Sequence, residues 1–246
     1  MFISLAKKRI EIIDTPLESL SIYDEYRVES GKPDISISIS FDDLVIEKRK
    51  SVTIEKSFER FIIKKTLDEL YGSAAYRKIV SEMIEFETFM MHGSVIATDM
   101  NHAYMFTAPS KTGKSTHTKL WLDNLPSSFV VNGDKPLLKV ETDQVLACGS
   151  PWCGKEGWNT NCIVPLKGIV ILERDEHNSI EEISFGQAFP IILQQTYRPD
   201  DPEKMKKTLS LLKEMSKHVK FYRMKINNFK DDAFSTSYTM LVKNKE

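Results

Sequence analysis

The chain has 246 residues, with 34 Lys plus Arg against 35 Asp plus Glu, so its formal net charge is −1. A chain of this length buries a sizeable core in one large or two small domains. The balanced charge gives no support for a nucleic-acid or membrane-surface partner. No apolar run approaches the roughly 18 residues that a membrane-spanning helix needs.

The N-terminus and the cysteines indicate the compartment. Lys7 and Lys8 follow a very short apolar stretch, which is the reverse of the charge order in a signal peptide. Cys148, Cys153 and Cys162 are an odd number of cysteines, which argues against a disulfide scaffold. We therefore expect a cytoplasmic protein with reduced thiols.

Residues 1–84 predict a small α+β region, which precedes a second domain at residues 85–246. Isoleucine and serine alternate across residues 34–41, and this period of two predicts a half-buried strand. Residues 75–89 predict a helix. Another helix is indicated by apolar residues at roughly helical spacing: Phe58, Phe61, Ile62 and Leu70.

A predicted hairpin then leads into the most informative segment. Residues 92–98 and 103–106 predict two strands, and residues 114–122 predict a helix. Between them, the sequence matches the phosphate-binding pattern Gly-x4-Gly-Lys-Ser/Thr, except that Ala108 replaces the first glycine. A strand before the loop and a helix after it are the context that this pattern requires.

The predicted binding segment, which we name the 108–116 loop, consists of Ala108, Pro109, Ser110, Lys111, Thr112, Gly113, Lys114, Ser115 and Thr116. Backbone amides at a helix N-terminus favour an anion. Gly113 allows the backbone to approach a phosphate, Lys114 reaches the outer phosphates, and Ser115 holds Mg²⁺. The loop therefore predicts a nucleoside-triphosphate site, although Gly-Lys-Ser also occurs in ordinary turns.

An acidic residue follows the next apolar strand, in the sequence Val130-Val131-Asn132-Gly133-Asp134. In nucleotide enzymes, an acid on a neighbouring strand completes the Mg²⁺ shell, so Asp134 is the candidate for metal binding or acid–base duty. The alternative is that Asn-Gly-Asp is a hairpin turn. His92 lies at the start of the strand before the 108–116 loop, where a lone histidine is more often structural.

The rest of the chain predicts further elements around a buried central strand at residues 164–173. Additional strands are expected at residues 129–131, 136–140, 144–148, 179–184 and 221–226. Helices are expected at residues 187–197, with Pro190 in the first turn, around Met205, Leu209, Leu212 and Met215, and at residues 231–242. Because several strand pairs are hairpins, we expect an α/β fold with a mixed sheet.

A loop rich in glycine, tryptophan and asparagine, which we name the 149–161 loop, predicts a binding surface. The alternative is that this loop packs only on itself. Arg174 and Arg198 could each stabilise phosphoryl charge. The alternative for each arginine is an ordinary surface position. The cysteine spacings differ from those of a zinc ribbon. The candidate substrate-binding residues are Trp152, Lys155, Trp158, Asn159, Asn161 and Arg198.

Three motifs in order resemble the HPr kinase/phosphorylase family: Met91-His92-Gly93-Ser94-Val95, the strand and loop from Tyr104 to Ser115, and Val130 to Asp134. The Ser-x-Thr-Gly-Lys-Ser-Thr core is also similar to the loop of ATP-type phosphoenolpyruvate carboxykinase, whose nucleotide-binding fold is related. The resemblance covers residues 85–200. It implies a P-loop kinase core with a mixed sheet and an ATP–Mg²⁺ site, with His92, Lys114 and Ser115 in the family's roles.

The chain departs from that family's pattern at several positions. Gly133 stands where the family has one of two adjacent Asp residues, so the resemblance leaves Asp134 or His92 as the general base. Ala108 and Lys111 occupy positions that are usually Gly; Ala108 is tolerated if its φ is negative, and Lys111 adds positive charge near the phosphates. No segment matches the family's strand for coupling to HPr, so HPr is not the expected substrate.

We therefore expect an ATP- and Mg²⁺-dependent kinase that transfers the γ-phosphoryl group to a hydroxyl of a peptide, protein or small molecule. Asp134, His92 and Lys114 are the expected catalytic residues, and Ser115 and Asp134 the metal ligands. One alternative is a nucleotide-binding regulator without chemistry, which the missing second Asp favours. Another is carboxykinase-like chemistry on a small carboxylate. Related kinases often form rings or dimers, so a homo-oligomer is also open.

Overall fold

The computed structural model describes residues 1–13, 16–57, 65–227 and 232–243. It divides into two compact units, Met1–Met83 and Ile84–Glu246. Three residues of the predicted helix, Phe58, Phe61 and Ile62, lie outside the described residues. Within the described ranges, every helix is too short or too polar to cross a membrane.

The first unit contains a small sheet and two long helices. Strands β1 and β2 pair antiparallel, and β3 pairs parallel with β2. Its elements are β1 (Phe2–Leu5), β2 (Lys8–Ile13), a 3-10 helix (Leu17–Tyr26), β3 (Ile35–Ser38), α1 (Phe41–Ser57) and α2 (Leu67–Met83). The alternating pattern is confirmed in β3, where Ile35 and Ile37 are buried while the serines face out.

Two boundaries in this part differ from the sequence-based expectation. The strand ends at Ser38 because Ser40 caps α1, which begins at Phe41: the Ser40 hydroxyl accepts from the Asp43 amide, and the Asp43 carboxylate accepts from the Ser40 amide. The predicted helix at 75–89 is wrong at both ends, since α2 begins at Leu67 and ends at Met83. A short 3-10 turn (Ile84–Phe86) follows, and Glu87, with a φ of 55°, then turns the chain into a strand.

The second unit alternates strands and helices. Its strands are β4 (Thr88–Met90), β5 (Ser94–Asp99), β6 (His102–Thr107), β7 (Phe129–Asn132), β8 (Leu137–Val140), β9 (Val145–Cys148), β10 (Ile163–Arg174), β11 (Ser179–Ile183) and β12 (Lys220–Ile226). Its helices are α3 (Lys114–Asn124), α4 (Phe185–Gln195), α5 (Pro202–Met215) and α6 (Asp232–Leu241).

The long strand β10 lies at the centre of the sheet of the second unit. Its first residues pair antiparallel with β9, and its remainder lies parallel to both β6 and β12. The strand order is β4-β8-β9-β10-β6-β5-β7, and β12 joins β11 to the other side of β10. The prediction of an α/β fold with a mixed sheet is therefore confirmed.

The helices of this unit pack onto the sheet through apolar faces. In α3, Trp121 is fully buried, and its Nε1 donates to Ser237 Oγ of α6 at 2.9 Å. Helix α4 begins at Phe185, capped by Ser184 and Gln187 in a capping box. The expectation that Pro190 lies in a first turn is wrong, because the helix begins earlier than predicted and encloses Pro190.

Candidate functional site

One edge of the second unit's sheet gathers the candidate residues. Strands β6 and β10 are parallel, so Thr107 at the end of β6 and Arg174 at the end of β10 share this edge. Strand β5 runs antiparallel to both β6 and β7, so its start, after His92, meets the end of β7, before Asp134. Crevices outside the carboxyl ends of parallel strands are common ligand sites in α/β folds.

The 108–116 loop connects β6 to α3 with two residues in left-handed backbone conformations. Gly113, with a φ of 116°, is the N-cap of α3, and no side chain caps the helix there. Lys111 has a φ of 66°, an uncommon value for a residue with a side chain. Ala108 is not among the described residues with positive φ, so it meets the condition for replacing glycine. The first amides of α3 are thus presented at the sheet edge, where they favour an anion.

Lys114 lies inside the curve of this loop. Its Nζ donates to the carbonyl of Ala108 at 3.0 Å and to that of Pro109 at 3.4 Å. Burial lowers the pKa of the Lys114 ammonium, and the charge of Asp134 opposes this change. The Lys114 ammonium therefore lies within the loop. An anion bound in the loop would replace these carbonyls as its hydrogen-bond partner.

Asp134 contacts two basic side chains. His92 Nε2 lies 3.1 Å from its Oδ1, and Lys135 Nζ lies 2.6 Å from its Oδ2. Burial by itself raises the pKa of the Asp134 carboxyl, but the hydrogen bond from His92 and the charge of Lys135 outweigh burial. The pKa is therefore held well below its usual range, and Asp134 is a carboxylate at neutral pH.

His92 is fixed on three sides. Its backbone amide donates to the carbonyl of Gln195 at 2.7 Å, and its ring Nδ1 lies 2.7 Å from Gln195 Oε1. Its carbonyl accepts from the Thr107 hydroxyl at 2.8 Å. The next residue, Gly93, has no room for a side chain, because a Cβ there would lie 2.8 Å from the carbonyl oxygen of Phe106, closer than real Cβ contacts. The His-Gly pair is thus set by contacts to β6 and to the end of α4.

The turn that carries Asp134 is organised by a buried asparagine. Asn132 Oδ1 accepts from the amides of Asp134, at 2.9 Å, and Lys135, at 2.7 Å. Its Nδ2 donates to the Ser150 carbonyl at 2.8 Å, which ties the turn to the 149–161 loop. The Asn-Gly-Asp segment is therefore a tight turn that places Asp134 beside His92. It is not the hairpin turn of the alternative interpretation, because β7 pairs with β5 whereas β8 pairs with β4 and β9.

Gly133 packs against the 149–161 loop. Its amide donates to the carbonyl of Trp158 at 2.9 Å, and a Cβ on Gly133 would lie 3.1 Å from the Cys153 carbonyl oxygen. Gly154 of that loop lies against Asp134, since a Cβ there would be 3.0 Å from Asp134 Cβ. A second acidic side chain at position 133 would thus point into the loop, which accounts for its absence.

These residues surround a groove of about 530 Å³. The groove brings together most of the predicted catalytic and phosphate-binding residues with part of the 149–161 loop and Arg174. It is lined by His92, Ser110, Lys111, Gly113, Lys114, Ser115, Thr116, Gly133, Asp134, Gly154, Lys155, Glu156 and Arg174. Arg174 Nε donates to the Thr112 carbonyl at 3.4 Å, and its Nη2 donates to the Lys111 carbonyl, which braces the 108–116 loop.

Several predicted substrate-binding residues lie elsewhere. Trp152 is only 8 % exposed, so it is a packing residue of the 149–161 loop and not a surface for a ligand. The Trp158 carbonyl accepts from the Gly133 amide, and Asn159 forms an isolated β-bridge with Asn132. Asn161 and Arg198 are exposed and do not line the groove. Of the six candidates, Lys155 alone lines it.

Sequence reasoning missed Gln195, Asn132, Lys135 and Glu156. The role of Asn132 could have been predicted from the Asn-Gly-Asp sequence, because an Asn side chain in a turn commonly accepts hydrogen bonds from the backbone amides two and three residues later. Gln195 lies 103 residues from His92 and has no such local signal. Among the described residues, no group of three or more His, Cys, Asp or Glu is arranged to hold a metal ion. Ser115 and Asp134 nevertheless suit Mg²⁺, which takes few protein oxygens and completes its shell with phosphates and water.

No protein-family model matches the chain, and no curated protein does. Among solved structures, the chain is similar to the Hpr(Ser) kinase/phosphatase from Coxiella burnetii. That likeness has 13% sequence identity and a TM-score of 0.39, and it covers 64% of this chain and 99% of that chain. A likeness this distant carries no assignment of activity.

Proposed function

We propose that the second unit is an ATP- and Mg²⁺-dependent kinase, which transfers the γ-phosphoryl group to a hydroxyl of a peptide, protein or small molecule. The observation that carries the proposal is a single groove at the sheet edge. It is lined by Lys114 and Ser115 of a strand–loop–helix segment and by His92 and Asp134, whose side chains are in contact. Phosphoryl transfer relies mainly on positioning and charge stabilisation, and this set supplies both.

The phosphate-binding role belongs to the 108–116 loop. Its amides at the start of α3 and the ammonium of Lys114 together create a positive electrostatic potential in the groove. Arg174 holds the carbonyls of Lys111 and Thr112, which keeps the loop in a conformation that exposes its amides. The carboxylate of Asp134 and the hydroxyl of Ser115 would hold Mg²⁺, which neutralises phosphate charge when bound.

The proton of the acceptor hydroxyl would pass to the His92–Asp134 pair. Burial opposes ionisation of Asp134, but His92 and Lys135 keep it charged, so its carboxylate is ready to accept a hydrogen bond. His92 is held by Gln195 in an orientation that keeps Nε2 toward Asp134. Within the pair the proton would go to the Asp134 carboxylate, because both ring nitrogens of His92 already face acceptor oxygens, Gln195 Oε1 and Asp134 Oδ1.

A nucleotide-binding regulator without chemistry is the second candidate. The observation that favours it is that both oxygens of Asp134 are engaged by His92 and Lys135, which weakens Asp134 as a base. The two candidates share the phosphate-binding site and differ only in turnover.

The test is Mg²⁺-dependent release of the γ-phosphoryl group from labelled ATP, with water and a panel of Ser-, Thr- and Tyr-containing peptides and hydroxy amino acids as acceptors. We expect turnover by the wild type and a loss of about 100-fold or more in Asp134→Asn, with ATP binding retained. Equal turnover in Asp134→Asn would overturn the assigned roles. Tight binding without turnover on any acceptor would favour the regulator.

A further inference from the structure

We propose that the second unit binds a small molecule with a phosphate or carboxylate group at a site separate from the groove. The site is a pocket of about 420 Å³, which we name the amino-end pocket, and its polar lining includes Thr98, His102, Lys167, His218 and Lys220. This volume is within the range of small-molecule sites. The residues that line the groove and those that line this pocket are entirely different. The proposal therefore does not depend on the proposed function.

The amino-end pocket lies at the end of the sheet opposite to the groove. His102 is the first residue of β6, and Lys220 is the first residue of β12. Both strands run parallel to β10, so their first residues share one sheet edge, and their last residues share the edge that carries the groove. A ligand in the amino-end pocket would thus leave the 108–116 loop accessible.

Two irregularities in strand pairing place side chains in this pocket. The pairing of β5 with β6 shifts register at Thr98, and the pairing of β10 with β6 shifts register at Lys167. Each of the two is thus an extra residue in its strand, and a bulge of this kind turns a side chain out of the regular alternation. Thr98 and Lys167 both line the amino-end pocket. Bulges on the two sides of β6 therefore meet at one cavity.

Two lysines give the pocket its positive charge. Lys167 is half-buried, and its ammonium has no ion-pair or hydrogen-bond partner among the described residues. An ammonium that is partly removed from water without a counter-ion is unfavourable, so a bound anion would stabilise this position. Lys220 Nζ lies 3.0 Å from Glu182 Oε2, in an ion pair whose side chains are both exposed. Exposed pairs are weak, so Lys220 can exchange its partner for a ligand.

Two other polar groups of the pocket are already used within the fold. Asp99 Oδ1 accepts from the Asn101 amide at 2.6 Å, and its Oδ2 lies 2.9 Å from His102 Nδ1. The Tyr104 hydroxyl donates to the Leu241 carbonyl at 2.7 Å. The carboxylate is thus held by its hairpin turn and the phenol by the end of α6. The two lysines remain as the charged groups with capacity for a ligand.

The chemistry of the lining selects an oxyanion. Ammonium groups bind phosphate and carboxylate as compact point charges with several donors each. The imidazoles of His102 and His218 line the same pocket, and each can donate an N–H to an anion. A small molecule with one such group would therefore satisfy Lys167 and gain contacts from the neighbouring basic side chains.

The experiment titrates phenyl phosphate, benzoate and phenol into the full chain and follows the ring ¹⁵N signals of the histidines. The first two probes carry an oxyanion on the same ring, and phenol is the uncharged control. We expect phenyl phosphate or benzoate to move the signals of His102 and His218 saturably, and phenol to leave them in place. The tighter of the two anions identifies the group that the pocket prefers. Movement confined to His92, which lines the groove, would overturn the proposal, as would the absence of any movement.

Matched lysine variants test the assigned charges. We expect Lys167→Gln to weaken binding of the preferred anion about tenfold or more, and Lys220→Gln, at an exposed position that tolerates substitution, to weaken it about threefold. The control is Lys206→Gln, an exposed lysine of α5 that lines neither cavity. Calorimetric titration of Mg·ATP should give the same affinity in all three variants. Equal affinity of the three variants for the anion would overturn the proposal.

Discussion

His92 Nε2 and Asp134 Oδ1 lie 3.1 Å apart, although the two residues belong to different connections of the sheet. Their backbones are linked as well, because the amide of Gly93 donates to the carbonyl of Asp134 at 2.9 Å. The pair is therefore held by main-chain and side-chain contacts before any ligand binds. Preorganisation of this kind lowers the cost of arranging charged groups around a reacting phosphoryl group.

The contact between Gly154 and Asp134 gives a sharp prediction. A Cβ at Gly154 would lie 3.0 Å from Asp134 Cβ, and the φ of Gly154 is +80°. Gly157 in the same loop has a φ of +67° and open space around it. We expect Gly154→Ala and Gly157→Ala each to cost about 1 kcal/mol of stability. Only Gly154→Ala should also displace Asp134 and reduce Mg·ATP turnover, measured on both variants at matched temperature. Equal turnover in the two would contradict the proposed role of Asp134.

Restoring a second acid at position 133 should not raise activity. A Cβ on Gly133 would meet the Cys153 carbonyl oxygen at 3.1 Å, so the side chain of Gly133→Asp would press a carboxylate against a carbonyl. We expect Gly133→Asp to lower the thermal unfolding midpoint and to lower turnover; Gly133→Ala separates the steric part. A gain of activity in Gly133→Asp would show that the 149–161 loop yields and that a carboxylate at position 133 reaches the bound phosphates.

Gln195 is expected to act as a positioning residue for His92. Gln195→Leu removes the acceptor 2.7 Å from His92 Nδ1 and leaves the shape of the buried site nearly unchanged. We expect turnover to fall on the order of tenfold, with the affinity for ATP retained, because the imidazole loses its orientation. The matched control is Gln194→Leu, exposed on the same helix.

Two further readouts separate this role from a general loss of structure. Gln195→Glu keeps an acceptor beside Nδ1 and should recover much of the rate. The ring ¹⁵N signals of His92, recorded without ligand, should move in Gln195→Leu and stay in place in Gln194→Leu. Unchanged ring signals in Gln195→Leu would rule out the positioning role independently of the proposed activity.

The first unit contains a buried ion-pair network that makes its stability depend on pH. Arg77 bridges Asp43 and Glu47 at 2.7 Å each, and Lys78 lies 2.7 Å from Asp43. Burial raises the pKa of Asp43, but hydrogen bonds from Lys78, Ser40 and Arg77 outweigh burial and hold the pKa well below its usual range. We expect Asp43→Asn to cost about 3 kcal/mol at neutral pH.

The sign of the pH dependence follows from the lowered pKa. A carboxylate with a depressed folded-state pKa stabilises the fold above its unfolded pKa of about 3.9, and this contribution disappears as the pH falls below that value. The difference in unfolding free energy between wild type and Asp43→Asn should therefore shrink from pH 5 toward about pH 2, measured by urea unfolding followed at the amides of Ala74 and Ala75. The control Asp42→Asn removes an exposed acid from the same helical turn. A constant difference would contradict the network's ionic character.

Local patterns in the sequence predicted several elements of both units. The alternation in β3, the buried run in β10 and the strand–loop–helix around Gly113 each reflect short-range periodicity or turn chemistry, and the structure contains all three. Helix boundaries were less predictable, because α1 is set by the Ser40–Asp43 cap and α2 ends before the left-handed Glu87.

The sequence could not predict which residues line or support the groove, because these residues are brought together by contacts between distant parts of the chain. Gln195 reaches His92 across 103 positions, and nothing near either residue indicates the pairing. The tryptophans of the 149–161 loop suggested a binding surface, whereas Trp152 is buried and Trp158 supports Gly133 through its carbonyl. Which side of a loop faces a ligand is decided by tertiary packing, so composition alone could not predict the orientation of the 149–161 loop.

The measurement that tests the central claim most directly is calorimetric titration of Mg·ATP into the wild type, Lys114→Ala and Lys119→Ala. Lys119 is the matched control, because it lies on the same helix, exposed and paired with Asp123 at 2.9 Å. We expect saturable binding to the wild type and to Lys119→Ala, and loss of binding in Lys114→Ala. Binding to Lys114→Ala with wild-type affinity, or no binding to the wild type, would contradict a phosphate site in the 108–116 loop.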